Sequence, residues 1–292
     1  MQKEAPLVSV LMTAFNRQNF IEEAIESVLS STYTNFELIV VDDCSTDNTV
    51  AVAQKYAERD KRIKLFVNNK NIGQFQNRNK AASLANGIYL KYVDSDDIIY
   101  PHCLQVMMDS MQKFPEAGLG FCHSIGESEK PFPYLITPGA AFRKHYFGGG
   151  LLYTGPIGLI LKTEAFKKVN EFEEFGMPSD NHLSLKIASV YPVVALPRDL
   201  IWWRAHNEGR AFDDLSSLKN IFDHYNFNKN ILQNIFCPLS EKEKNAAIIS
   251  GKKNFSRGLI RSIFNKPSDF GLLKTLFKEN NIDLAFILRN LF

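Results

Sequence analysis

Cysteine is scarce in this chain of 292 residues, and what little there is excludes several classes of protein. Cys44, Cys103, Cys122 and Cys237 are far apart, with no C-x-x-C spacing, so a zinc knuckle is not expected. Nor do they look like a disulfide framework, and free thiols in a reducing compartment are the simpler expectation. Long apolar runs are missing too. No segment approaches about 18 consecutive apolar residues, so no transmembrane helix is expected. The opening residues, Met1-Gln2-Lys3-Glu4-Ala5-Pro6, lack the apolar run and cleavage site of a signal peptide, which points to a cytoplasmic protein. Charge of one sign is also lacking: the formal net charge of +2 is too small to suggest a nucleic-acid binder. Gly148-Gly149-Gly150 is followed by no Gly-Lys-Ser/Thr, so it is not a Walker phosphate loop. There is no internal repeat and no low-complexity segment. What is there is ordinary for a globular protein, 45% hydrophobic and 23% charged, and long enough for one large domain or one domain plus an appendage.

The first hundred residues alternate regularly. Leu7-Val8-Ser9-Val10-Leu11-Met12 is a short apolar run of buried-strand type, followed by the polar loop Thr13-Ala14-Phe15-Asn16-Arg17. Asn19 is placed to cap a helix that carries Ile21, Ala24, Ile25 and Val28 on one face. Phe36-Glu37-Leu38-Ile39-Val40-Val41 reads as a second strand ending in a turn-rich loop, Asp42 to Asn48, where Asp47 is placed to cap the next helix. Ile63-Lys64-Leu65-Phe66-Val67 is a third strand, and a helix over about 75–85 leads into a fourth, Tyr89 to Val93. Strands alternating with helices predict βαβ units and a parallel sheet, in which ligands sit beyond the carboxyl ends of the strands. That rule brings the clusters at Thr13–Arg17, Asp42–Asp47 and Asp94–Asp97 to one edge.

The fourth strand stops in Asp94-Ser95-Asp96-Asp97, three carboxylates within four positions. Like charges this close repel, and a hard divalent cation relieves the repulsion. A solvated acidic loop capping a helix that starts near Pro101 is the plain alternative. Further on, Leu104, Met107, Met108 and Met111 mark a core-facing helix, 118–123 a strand, and 126–150 the least regular stretch, which suits a long functional loop. A strand entering a short helix is expected over 159–168, a helix after Ser179-Asp180, and short strands at 193–196 and 200–204. From Phe212 the pattern is helical with breaks at Pro238 and Pro267. Residues 251–292 hold eight Lys or Arg against three Asp or Glu. Leu259, Ile260 and Ile263 lie among Arg257 and Arg261, and Leu272, Leu273, Leu276 and Phe277 among Lys274 and Lys278. This reads either as a membrane-surface or partner-binding tail, or as a helical cap with a solvated basic face.

Ser9-Val10-Leu11-Met12-Thr13-Ala14-Phe15-Asn16, then Val40-Val41-Asp42-Asp43-Cys44-Ser45-Thr46-Asp47, Arg78-Asn79 and Val93-Asp94-Ser95-Asp96-Asp97 come in the order found in family 2 glycosyltransferases, and the chain resembles that family over roughly residues 6–207. The resemblance implies an α/β fold of GT-A type, a Rossmann-like, mostly parallel sheet flanked by helices. It implies a glycosyltransferase domain over residues 1–210, with a donor-binding half at about 1–100 and an acceptor half at about 101–210, and a helical C-terminal extension over 211–292. It places Thr13, Ala14, Phe15 and Asn16 along the nucleotide pocket, with Asp43 accepting a hydrogen bond from the base. A carboxylate is a strong acceptor for an imide N–H such as that of uracil. Phe15 stands where the family usually has Tyr, keeping the stacking surface and losing the hydroxyl. Arg78 is placed near the diphosphate or base side. Asp96 is assigned to the ribose and the metal, Asp97 to the metal, and Asp94 to the support of the nucleotide-sugar site. Mn²⁺ or Mg²⁺ bridges the diphosphate and stabilises the charge on the leaving group.

Asp180 matches the acidic residue that resembles the family's catalytic base; Ser179 replaces the Glu that usually precedes it. As a plain reading, Asp180 is an N-cap. His206 in Trp203-Arg204-Ala205-His206 resembles the C-terminal histidine that reaches the metal or diphosphate. Gly155-Pro156-Ile157-Gly158 falls where the family forms part of the donor-sugar and acceptor pocket, or is simply a tight turn. The Gln-x-x-Arg-Trp motif of processive synthases is absent from the sequence. The resemblance therefore implies a metal-dependent, inverting, non-processive transfer from a nucleotide-diphospho-sugar, a UDP-sugar being favoured. The acceptor is a glycan or lipid-linked glycan of bacterial surface polysaccharide synthesis, with peripheral membrane contact through the basic tail. Two rival readings are a Mg²⁺-dependent phosphatase of haloacid dehalogenase type, with Asp94 as nucleophile, and a sugar-nucleotide-binding protein without catalysis.

Overall fold

The computed structural model describes residues 6–122, 130–173, 179–205, 218–265 and 270–291. By internal contacts the chain divides into two compact units, Met1–Glu173 with Leu183–Ala205, and Glu174–His182 with His206–Phe292.

The first unit begins with β1 (Val8–Ala14), α1 (Ile21–Leu29), β2 (Phe36–Asp42), α2 (Thr49–Arg59), β3 (Ile63–Val67), α3 (Gln74–Ser83) and β4 (Tyr89–Tyr92). The elements expected from alternation all form here. The apolar runs of β1 and β2 are buried on both faces, as strands of a covered parallel sheet must be. Val8, Val10, Met12 and Ala14 face one core cluster together with Ile21, Ala24, Ile25 and Val28 of α1. α3 packs on β1 and β2. The cap of α1 differs from expectation: Phe20, not Asn19, stands at the N-cap, and the Phe20 and Ile21 N–H groups donate to the Arg17 carbonyl at 3.0 Å each.

After the aspartates come β5 (Ile98–Ile99), α4 (Cys103–Lys113), β6 (Leu119–Cys122), β7 (Tyr134–Ile136), α5 (Pro138–Phe147), a 3₁₀ turn (Pro156–Gly158), β8 (Leu159–Lys162) and α6 (Thr163–Lys168). α7 (Ser179–Val190), β9 (Val193–Leu196) and β10 (Ile201–Trp202) follow. The methionine stripe of α4 is core, with Met107, Met108 and Met111 fully buried. The stretch 126–150 is not one long loop. Its described part contains β7 and α5, which were hard to see because β7 has three residues and α5 has no clean apolar face.

The large sheet has the order β3-β2-β1-β4-β8-β6-β9-β7. β3, β2, β1 and β4 run parallel, and β6 runs parallel to β9. β8 is antiparallel to both β4 and β6, and β7 is antiparallel to β9. β5 and β10 pair antiparallel in a separate two-stranded ribbon, Ile99 with Ile201 and Ile98 with Trp202.

The second unit is helical in its described part after residue 217, with α8 (Leu218–Gln233), α9 (Glu241–Asn265), α10 (Phe270–Glu279) and α11 (Leu284–Arg289). Leu218, Phe222, Phe255, Leu259, Leu273, Leu276 and Ile287 form its core. Much of the apolar stripe noted in the basic tail is thus buried within this unit. Among the described residues no helix is long and apolar enough to cross a membrane.

Candidate functional site

The carboxyl ends of β1, β2 and β4 meet, as the strand-end rule requires, and side chains tie them together. Asn16 has φ 53°, a left-handed conformation that asparagine tolerates better than most residues. Its N–H donates to Ser45 Oγ at 2.8 Å, and its Oδ1 accepts from the Thr46 N–H at 2.9 Å. The Arg17 N–H donates to Thr49 Oγ1 at 2.7 Å, and the Gln18 N–H to Asp47 Oδ2 at 3.1 Å. The loop after β1 is therefore stitched to the loop after β2. Asp47 also accepts from the Thr49 N–H at 2.9 Å, so it satisfies a helix-start donor from the position before the N-cap, Asn48.

The two aspartates after β2 divide their work. Asp42 is buried and accepts from the N–H and Oγ of Ser45, turn-forming chemistry. Asp43 is also buried; its Oδ1 accepts from Asn68 Nδ2 at 2.7 Å and the Ile72 N–H at 2.9 Å, and its Oδ2 from the Gly73 N–H at 2.9 Å. A carboxylate offers about four acceptor positions, so three such bonds fix the group and leave Oδ2 room for a further donor. Thr13 is half-buried, Ala14 buried, and Phe15 is 44% exposed at the rim of the same loop, an apolar ring offered to solvent beside polar groups.

The aspartates after β4 are held by three arginines. Arg17 Nε donates to Asp96 Oδ2 at 3.0 Å. Arg78, 2% exposed on α3, donates from Nη2 to Asp94 Oδ1 at 2.9 Å, its guanidinium between the rings of Phe75 and Phe172. Arg204 donates from its backbone N–H to Asp97 Oδ1 at 2.9 Å and from Nε to the Asp96 carbonyl at 2.9 Å, and it pairs with Glu23. Arg78 was a site expectation; it meets Asp94. Arg17 and Arg204 were passed over. Arg17 directly follows the loop motif, and Arg204 lies inside the stretch from which His206 was singled out. His206 itself lies outside the described residues. Asp180 stands in the first turn of α7.

The donor chemistry of this edge fits a hard divalent cation, since carboxylate oxygens are its preferred ligands. Among the described residues no three His, Cys, Asp or Glu side chains form a metal cage. A cation here would take the rest of its shell from diphosphate oxygens and water, the usual arrangement for Mg²⁺.

Beneath the aspartates lies Lys91, fully buried in β4. Burial pushes its ammonium below the usual lysine range, while the nearby Cys103 and Cys122 thiols and the Asp94 and Asp97 carboxylates act the other way. Its Nζ donates to the Ile157 carbonyl, in the turn that enters β8. That turn is closed by the Gly158 N–H to the Gly155 carbonyl at 2.9 Å. A Cβ on Gly158 would come within 2.4 Å of Thr154 Oγ1, whereas one on Gly155 would meet nothing within 4 Å. A side chain at Gly158 would thus need the Thr154 hydroxyl to move, and Gly155 leaves open space beside the turn. The sequence signal for Lys91 was plain in retrospect: it is the one charge in the run Tyr89-Leu90-Lys91-Tyr92-Val93.

The mostly parallel sheet, flanked by helices and with cross-tied polar loops at its carboxyl edge, is the architecture of the GT-A glycosyltransferases it resembles. Residues 9–169 match the family described as Glycosyl transferase family 2, and the chain belongs to that family. It is similar to a putative teichuronic acid biosynthesis glycosyltransferase, TuaG, of Bacillus subtilis, 42% identical over 92 residues, which is 32% of this chain and 36% of that one. Matches to the first curated relatives span 34%, 36% and 44% of their lengths. Among solved structures, the fold is similar to Staphylococcus aureus TarS 1-349 in complex with UDP-GlcNAc (TM-score 0.64, 21% identity, 91% of this chain and 75% of that one). It is also similar to the mannosyltransferase PcManGT of Pyrobaculum calidifontis in complex with GDP-Man and Mn²⁺ (TM-score 0.66, 17% identity, 99% and 86%).

Proposed function

We propose that the protein transfers one sugar from a nucleotide-diphospho-sugar to an acceptor hydroxyl, with inversion at the anomeric carbon and without processive elongation. The observation that carries this reading is the tying of the β1, β2 and β4 loops into one polar edge, Asn16 to Ser45 and Arg17 to Asp96, in a chain of this family. Phe15 stacks on the base, with Thr13, Ala14 and Asn16 beside it, and Asp43 accepts the base N–H through the position its own loop leaves open. Asp96 turns from Arg17 to the ribose, and Arg17 and Arg78 bring positive charge to the diphosphate side. Asp97 and Asp96, with His206, would hold a divalent cation, Mn²⁺ or Mg²⁺, which when bound would supply positive charge to the leaving nucleoside diphosphate. Asp94 stays with Arg78 and supports the edge. Asp180 accepts the proton of the acceptor hydroxyl as that oxygen attacks.

The domain reading is one glycosyltransferase domain over 1–210 and a helical extension over 211–292. The relatives that share the family favour an acceptor in cell-surface polysaccharide synthesis, and the complexes of the similar structures favour UDP- or GDP-sugars as donors. A cytoplasmic location with peripheral membrane contact fits α9 and α11, where Arg257, Arg261 and Arg289 accompany exposed Phe264, Leu284 and Leu288. The test is a screen of UDP-, GDP- and dTDP-sugars with Mn²⁺ and with EDTA. Release of nucleoside diphosphate from one of them, abolished by EDTA, is expected. Turnover of phosphomonoesters with no donor cleavage contradicts the reading.

A further inference from the structure

We propose that Lys91 is a positioning residue: its ammonium holds the Gly155–Gly158 turn in place against the strand end that carries Asp94, Asp96 and Asp97. The inference rests on the functional reading above, in which the aspartates and this turn border one sugar site. It starts from a gap in the sheet. The β4–β8 ladder registers only Tyr89 with Lys162 and Leu90 with Leu161. Beyond Leu90 no further pair is registered, β4 running on to the aspartates and β8 leading back to its entering turn. Lys91 is the first residue past the ladder, and its Nζ reaches across to the Ile157 carbonyl. The turn's other hydrogen bonds, Gly158 N–H to Gly155 and Leu159 N–H to Pro156, leave that carbonyl to the lysine.

Packing alone gives no reason for a lysine at this position. Tyr89, Val93, Cys103, Cys122 and Ile157 belong to one apolar cluster, and the strand alternation directs Lys91 to the side of Tyr89 and Val93. Burying an ammonium is costly, and an apolar side chain of the same length would fill the space without that cost. What the lysine adds is a fixed donor between two segments that no backbone ladder joins. A shift of the turn by an ångström would move one wall of the sugar site and leave the base contacts, which lie in the loops after β1 and β2, where they are.

The test compares wild type, K91M and K91Q as full chains. UDP-GlcNAc and GDP-mannose serve as donors and the matching nucleoside diphosphate as binding probe, all with Mn²⁺. Donor-cleavage kcat, calorimetric Kd for UDP or GDP, and Tm are measured. K91M is expected to lose about 10- to 100-fold in kcat, with the nucleoside diphosphate Kd within about twofold and Tm within about 4 °C of wild type. K91Q, which keeps a neutral donor, is expected to recover part of the loss. If K91M does not fold, the same separation of kcat from Kd is read on K91Q. Kcat within about twofold of wild type in K91M, an equal loss of kcat and nucleotide affinity, or failure of both variants to fold overturns the proposal. A wild-type protein that cleaves no donor across the UDP-, GDP- and dTDP-sugar screen overturns the functional reading, and this inference with it; wild-type turnover matched by K91M on a donor that the screen finds overturns this inference alone.

Discussion

The two halves of the large sheet are secured by different means. On the parallel side, β3, β2, β1 and β4 are tied at both ends. At the carboxyl edge Asn16, Arg17, Asp43 and Arg78 link successive loops. Toward the other end Glu37 of β2 accepts from Ser9 of β1, Lys64 of β3 and the Asn86 N–H just before β4. On the other side β8, β6, β9 and β7 have four residues or fewer each and mix directions, β6 and β9 parallel, β8 antiparallel to β6 and β7 antiparallel to β9. Lys91 of β4 reaches the Ile157 carbonyl before β8, and Asn79 of α3 is bonded in both directions to the Phe172 backbone after α6. Under the proposed function, the cross-tied parallel side would hold the part of the donor common to all sugar nucleotides, and the short-stranded side would be where sugar and acceptor are chosen.

Breaking that division should give effects of different kinds. The largest is expected from D180N, which removes the proposed base. Transfer should fall by about 10²- to 10⁴-fold while calorimetry finds UDP or GDP binding unchanged; near wild-type transfer would remove Asp180 from the mechanism. Next, R78M strips the counter-charge from Asp94 and removes the guanidinium from between Phe75 and Phe172. Urea unfolding should register a loss of about 3 kcal/mol, the usual cost of breaking a buried ion pair. A loss under about 1 kcal/mol, the level of a surface pair, would mean that Arg78 is not part of the holder. The smallest effect concerns acid. Burial alone would raise the Glu37 pKa, but hydrogen bonds from Lys64, Ser9 and Asn86 outweigh it and hold the group at about 2. Its folded pKa lies below the unfolded value of about 4.3, so this stabilisation is complete above that pH and is lost as pH falls toward 2. Denaturation profiles of wild type and E37Q should therefore converge as pH is lowered through this window; parallel profiles would show that Glu37 contributes nothing to the clamp.

The parallel side was legible in the sequence because its signals are long and regular. Seven-residue apolar strands, amphipathic helices and Asp-rich strand ends repeat in order, and the strand-end rule turns that order into proximity. What was hidden depends on side chains reaching between segments distant in sequence. Nothing local marks Arg17 as the partner of Asp96, 79 positions away, or Arg204 as a donor to Asp97, 107 positions away. The mixed side was harder still. β7 and β10 have three and two residues, too few for a period, and the glycine- and proline-rich stretch before β8 concealed α5. In the C-terminal region, composition showed the basic excess but not that Leu259, Leu273 and Leu276 turn inward to a core of their own.

The central claim is that the loops after β1, β2 and β4 form one nucleotide-diphosphate site. A crystal structure of the full chain with UDP and Mn²⁺ tests it most directly. The account predicts the uracil ring against Phe15 with its imide N–H on Asp43, and the cation bound between the diphosphate and Asp97. Nucleotide bound away from Phe15 and Asp43, or a diphosphate–cation pair with no contact to Asp97 or Asp96, would contradict it.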